Sequence, residues 1–264
     1  MAVAGKYQEL AAAMARLVET ELAPGDQFPT VPELAERFGV HRNTASRAVQ
    51  HLKEQGLLSG KGGGKTWVRV PPAPTVRRNT RYQEEKDLVL RPEAERRSCG
   101  VAEWESGISL TTVYEDTARH DVVDAPDWVA EILEIEPGAK VLRRTRTRRH
   151  RKGAGASCSV SYLPYELASR NPELFDESRD PWPGGTMHQL HTLGIEVDRI
   201  EDHVTASMPT DEEVAEQDIP PGVPVLRDLK ITYATSGRAV EVAALPFPAD
   251  RAKLVFVTPL ERWS

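Results

Sequence analysis

The chain has 264 residues, is 39% hydrophobic and 28% charged, and carries a formal net charge of −6. That size suggests two domains of ordinary soluble protein, and no segment approaches the roughly 20 apolar residues a membrane-spanning helix needs. The charge is unevenly divided, with 11 Lys and Arg against 7 Asp and Glu in residues 1–78 and a net of −10 in residues 79–264, so only one end is suited to approach phosphate.

Tyr7, Leu10, Ala11, Met14, Leu17, Val18 and Leu22 recur at helical spacing and predict a first helix, stopped by Pro24-Gly25-Asp26. Thr30 stands three residues before Glu33, which is the spacing of a capping box, and Pro32 falls in the first turn, where no N–H is missed. A short second helix is expected over Val31–Phe38, with Leu34, Ala35 and Phe38 turned inward. After Gly39 and Val40 comes a third periodic run. Its inner stripe is Ala45, Ala48, Val49 and Leu52, and its outer face holds Arg42, Asn43, Ser46, Arg47 and Gln50. A short helix, a glycine turn and a helix with hydrogen-bonding side chains on its outer face describe a helix-turn-helix. Gly56 ends that helix.

Two β-prone runs, Leu57–Ser59 and Thr66–Val70, flank a glycine-rich turn and predict a hairpin wing on which Lys61 and Lys65 can reach phosphates. The turn does not fit a nucleotide-binding GxxxxGK[ST] loop, because a strand-like run and then Pro71-Pro72 follow it.

Taken together, Pro24-Gly25, Pro29-Thr30, Glu33–Val40, Arg42-Asn43-Thr44, Arg47-Ala48, Leu52, Gly56-Leu57 and Gly62–Gly64 resemble the GntR-family winged helix over residues 6–70. The resemblance implies that the start of the third helix reads bases and that Gly63 sits at the wing tip. It carries over Arg42 and Thr44 as base or phosphate readers and Arg47 as a phosphate contact; with the outer face of the helix and the wing, the expected DNA-facing set is Thr30, Arg42, Asn43, Thr44, Ser46, Arg47, Lys61, Gly63 and Lys65. Three departures stand out. Pro32 and Ser46 occupy positions where the family often has Arg, and His41 replaces the usual Ser or Thr cap.

Pro71-Pro72-Ala73-Pro74 reads as a stiff spacer, and residues 73–98 are expected to be a polar linker that lets the head swing. Beyond it, strands are expected at Thr111–Asp116, Val141–Arg149, Ser157–Leu163, Ile195–Ser207, Val225–Tyr233 and Ala239–Leu245, with Gly153–Gly155 turning one hairpin. Short helices fit around Trp128, Met187–Leu193 and Thr210–Gln217, and Leu254–Val257 is expected to add an edge strand. This excludes an all-helical regulatory domain, and the remaining chain is too short for an aminotransferase-like one. Pro137-Gly138, Tyr162-Leu163-Pro164, Ala239-Val240-Glu241, Phe247 and Asp250-Arg251 resemble the UTRA ligand-sensing domain of HutC-type regulators. The fold class is therefore a multidomain α/β chain: a winged helix-turn-helix (1–72), the linker (73–98), and an α+β, chorismate-lyase-like domain with a mainly antiparallel sheet (99–264).

Arg144, Arg146 and Arg148 alternate along one strand and so share a face. In HutC-type proteins such arginines hold the acidic end of an effector, and guanidinium forks suit that task. The effector residues the resemblance implies are Arg144, Arg146, Ser161, Glu241 and Phe247. Ala243 stands where the family often has a small hydroxyl residue. The alternative is that these arginines simply pair with acids of the same domain. His188 and His191 have no third ligand in sequence, no catalytic set is readable, and no cofactor is expected. Cys99 and Cys158 make no disulfide framework, and no secretory signal is apparent, which fits a bacterial cytoplasm with association to the nucleoid. The expected protein is a homodimeric repressor on an inverted-repeat operator, released by a small anionic effector. Two alternatives stay open: an effector-independent repressor with a vestigial pocket, similar to regulators of conjugative elements, and a chorismate-lyase-like enzyme.

Overall fold

Apolar residues spaced three and four apart form α1 (Lys6–Glu21) in the computed structural model, which describes residues 6–60, 64–72, 74–98, 114–150 and 155–262. Lys61, Gly63, Cys99, the start of the strand expected from Thr111, and Gly153-Ala154 lie outside the described residues. Helix α2 is Val31–Arg37 and α3 is Arg42–Glu54. Leu10, Met14 and Leu17 of α1 pack with Leu34 of α2 and with Ala45, Ala48, Val49 and Leu52 of α3, each large side chain contributing about 1.5–3 kcal/mol by leaving water.

The turn between α2 and α3 and the turn between α3 and the wing are alike. Gly39 (φ 61°) and Gly56 (φ 71°) each follow a helix. Gly39 N–H donates to Glu36 O at 3.2 Å and Val40 N–H to Ala35 O at 3.0 Å; Gly56 N–H donates to Lys53 O at 2.9 Å and Leu57 N–H to Leu52 O at 3.0 Å. These are Schellman closures, which only a left-handed residue permits. The wing is β1 (Leu58–Ser59) against β2 (Trp67–Val68), antiparallel. The segment after α1 joins it as well. Gln27 bridges Trp67, and Phe28, 1% exposed, donates its N–H to Thr66 O at 2.8 Å.

By contacts the chain divides into two units, Met1–Ala73 with Ile219–Pro224, and Pro74–Asp218 with Val225–Ser264. The second contains a six-stranded, wholly antiparallel sheet. Its strands are β4 (Tyr114–Asp124), β5 (Lys140–His150), β6 (Ala156–Pro164), β7 (Val197–Ser207), β8 (Val225–Ala234) and β9 (Ala239–Pro248). They lie in the order β4-β5-β6-β9-β8-β7. Strand β4 runs on to Asp124, well past the expected end at Asp116, because its whole length pairs with β5. Helix α6 (Asp127–Leu133) packs Val129 and Leu133 on one sheet face against Val141, Tyr162, Ile231 and Val242. On the other face lie α7 (Tyr165–Ala168) and α8 (Gly185–Thr192), with Leu142, Leu163, Leu167 and Leu190 in a second core. Helix α9 (Asp211–Gln217) starts at Thr210, whose hydroxyl accepts from Glu213 N–H at 3.2 Å.

Two expectations are corrected. Residues 75–98 are folded and not a free linker: they form β3 (Thr75–Arg78), α4 (Arg81–Leu88) and α5 (Glu93–Ser98). The strand expected near Leu254 is β10 (Ala252–Val255), and it does not extend the main sheet. It pairs in parallel with β3 from Ala252↔Thr75 to Val255↔Arg78, because β3 offers it a full row of backbone partners. Arg77 of β3 lies 4.7 Å from the Phe247 ring centroid, and Tyr82 of α4 donates to Asp202 at 2.9 Å.

Candidate nucleic-acid interface and effector site

Helix α3 begins with His41, which does the work of the missing Ser or Thr. Its Nδ1 accepts the Asn43 backbone N–H at 3.2 Å. The buried stripe Ala45, Ala48, Val49 and Leu52 fixes the helix roll, which leaves Arg42, Asn43, Ser46, Arg47 and Gln50 exposed and Thr44 half-buried. Among the described residues no hydrogen bond or ion pair engages the Arg42 guanidinium. Arg47 instead lies over the Tyr7 ring, 4.5 Å from its centroid, within the range of a cation–π contact. The dipole of this thirteen-residue helix adds partial positive charge beside Arg42.

Thr30 is exposed, but its hydroxyl donates to the Glu33 carboxylate at 2.8 Å and its N–H to the same oxygen at 2.7 Å. Those bonds hold the Glu33 carboxyl below the usual carboxylate range. Gln50 turns away, donating to Glu54 at 3.2 Å. Lys65 is exposed next to the wing strands, and Lys53 donates to Gly60 O at 3.2 Å, tying α3 to the wing's base. The outward face of α3 thus carries Arg42, Asn43, Ser46 and Arg47, while Thr30 works as part of the α2 cap.

The arginine strand is less open than its sequence suggests. Arg144, 8% exposed, donates through Nε to Ser161 at 3.1 Å, through a terminal nitrogen to Glu241 at 2.6 Å, and also to Gln189 of α8. Glu241, 1% exposed, accepts from Thr232 at 3.1 Å and faces Lys230 Nζ at 3.4 Å. Burial pushes the Glu241 carboxyl up, and the Lys230 and Arg144 charges more than offset this, leaving it low. Arg146 and Arg148 converge on Asp116 at 3.0 and 2.8 Å. There too burial raises the carboxyl and the two guanidiniums bring it below its usual range.

Arg144, Ser161 and Glu241 therefore do meet, and Arg146 stands beside them on the same strand face. Phe247 is not part of that cluster: its ring packs under Arg77. Sequence reasoning missed Gln189, which reaches Arg144 only through the way α8 lies over the sheet. His120 pairs with Asp180 at 2.9 Å, and His188 accepts the Trp182 indole N–H at 2.9 Å. Among the described residues no group of three His, Cys, Asp or Glu is placed to hold a metal ion, and no helix is long and apolar enough to cross a membrane.

Comparisons with known proteins agree on both parts. A sequence profile described as "Bacterial regulatory proteins, gntR family" matches residues 6–68, and one described as "UTRA domain" matches residues 115–253. The chain is 25% identical over 260 residues to the HTH-type transcriptional repressor NagR of Bacillus subtilis, covering 98% of this chain and 95% of that one. It is 24% identical over 244 residues to the mannosyl-D-glycerate transport/metabolism system repressor MngR of Escherichia coli, covering 92% and 90%. Among solved structures, one described as a GntR-family transcriptional regulator superposes with a TM-score of 0.66 at 24% identity, covering 97% and 98%. PhnF from Mycobacterium smegmatis superposes with a TM-score of 0.51 at 21% identity, covering 96% and 100%. At those identities the structures speak to the fold alone.

Proposed function

The chain belongs to the UTRA-domain family of GntR-type DNA-binding transcription regulators, and from that premise we propose that it is a repressor which binds an inverted-repeat operator as a homodimer in the cytoplasm. Two of its relatives, NagR and MngR, are named repressors. The observation that carries the reading is the outward face of α3, where Arg42 stands unengaged at a capped helix start. Arg42 reads a base edge, Asn43, Thr44 and Ser46 fill the groove around it, and Arg47, Lys65 and the wing residues Lys61 and Gly63 track the backbone. Arg42→Ala is expected to weaken operator binding by 1–3 kcal/mol, an order-of-magnitude figure, with a smaller loss on random duplex. A gel-shift titration on both duplexes measures this, and equal losses would refute base reading.

An anionic effector, as the resemblance implies, would have to take Arg144 from Glu241 or Arg146 from Asp116. Such an exchange moves strand and helix together, which gives a route from ligand to head. The closed pairing of Arg144 favours a second reading, a repressor that responds to no anion. A thermal-shift screen of the full chain with phosphorylated sugars and organic acids separates the two: a stabilising anion supports the first, and none supports the second. Neither reading includes a catalytic step; turnover of an aromatic acid by the chain would overturn both.

A further inference from the structure

The main sheet splits on the side away from Arg144. Strands β6 and β9 pair only at Val160↔Ala244, Ser161↔Ala243 and Tyr162↔Val242. Past that point β6 continues along β5 to Ala156, while β9 continues along β8 to Pro248. The backbones diverge, and α9 packs beside β6 over the gap. The result is a groove of about 690 Å³ with Cys158, Val160, Leu229 and Ala244 among its lining residues and Trp128 at one side.

One buried polar side chain lines this groove without a partner. Among the described residues Gln217, 0% exposed, has no hydrogen-bond partner at either its Oε1 or its Nε2. Groups of this kind are few in a folded chain and point to a missing partner. The charged lining is acidic in balance: Asp121, Glu212, Glu213 and Glu216 stand against Arg119, Arg143 and Arg227. Arg119 and Arg143 both pair with Asp121, at 3.3 and 2.9 Å, and Arg227 pairs with Glu213 at 2.7 Å. Among the described residues no guanidinium pairs with the Glu212 or Glu216 carboxylate.

We propose that this groove binds a small organic cation: an amine whose charge meets Glu212 and Glu216, whose hydroxyl or amide group meets Gln217, and whose apolar body lies on Val160, Leu229 and Ala244. The site takes the opposite charge from the arginine strand and does not depend on the DNA-binding reading.

The test uses matched probes on the full chain without DNA. Tyramine and 4-hydroxyphenylacetate share a ring and a hydroxyl and differ in the sign of the charge; agmatine supplies a second amine. Calorimetric titration and thermal shift should show saturable binding of at least one amine and none of the acid. The double variant Glu212→Gln/Glu216→Gln should weaken that binding by about tenfold while the empty chain melts unchanged. Gln217→Leu should raise the melting temperature of the empty chain and abolish the probe's shift. Equal binding of the acid, amine binding that survives the double variant, or no binding of either amine would overturn the proposal. Unchanged amine binding in Arg42→Ala keeps this result separate from the DNA reading.

Discussion

Glu241 and Asp228 stand on one face of the sheet and respond to pH in opposite directions. The Glu241 carboxyl is lowered in the folded chain, so the stability it contributes is present above the ordinary carboxylate range and is lost as pH falls through its folded value. Removing its charge leaves Arg144 and Lys230 buried beside a neutral amide. Glu241→Gln is expected to cost about 3 kcal/mol at pH 7, with the difference from wild type shrinking toward pH 4. Asp228 is raised to about 6, first by burial and then by Asp202. A raised carboxyl favours the folded state at low pH and penalises it as pH climbs through 6. Asp228→Asn is therefore expected to stabilise at pH 7.5, by at most about 3 kcal/mol, and to be neutral near pH 4. Urea unfolding followed by circular dichroism at pH 4, 5.5 and 7.5 checks both signs.

At the scale of elements, the α2–α3 turn depends on one residue. A side chain at Gly39 would meet nothing within 4 Å, so substitution there tests backbone conformation alone. Gly39→Ala is expected to lower stability by about 1 kcal/mol, the left-handed penalty, and Gly39→Asn by less; thermal melts of the two variants measure it. This turn and the stripe of α3 were legible in sequence because caps, glycine and 3.6-residue periodicity act over a few neighbouring residues. The strands of the main sheet were legible from β-branched runs and turns for the same reason. Residues 75–98 were not. Helix α4 has no buried residue of its own, and its anchors are Tyr82 to Asp202 and Lys86 to Glu196. Strand β3 has its partner at Ala252–Val255, far along the chain. The arginine cluster was half legible: alternation put Arg144 and Arg146 on one face, but Gln189 and Asp116 reach them through tertiary packing and strand register, and Phe247 was claimed by Arg77.

Across the whole molecule, charge is segregated, with a net of +4 in residues 1–78 and −10 beyond. Binding should therefore fall steeply with salt, because the basic end displaces counterions while the acidic remainder is repelled by the duplex. Lys65→Ala should weaken operator and random duplex alike and reduce the slope of log K against log salt by about 1, unlike Arg42→Ala; titrations between 50 and 200 mM salt, roughly the range where such slopes are read, compare the two. The pairing of β3 with β10 bears on how such experiments are built. The first strand after the proline spacer is zipped to one of the last, so an edit at the tail is felt at the front. Cutting the chain before Ala252 unzips Thr75–Arg78, uncovers Phe247 and should speed amide exchange there. A purification handle or reporter fused behind β10 rests on the same fastening, and a long flexible spacer ahead of the fusion keeps it shut.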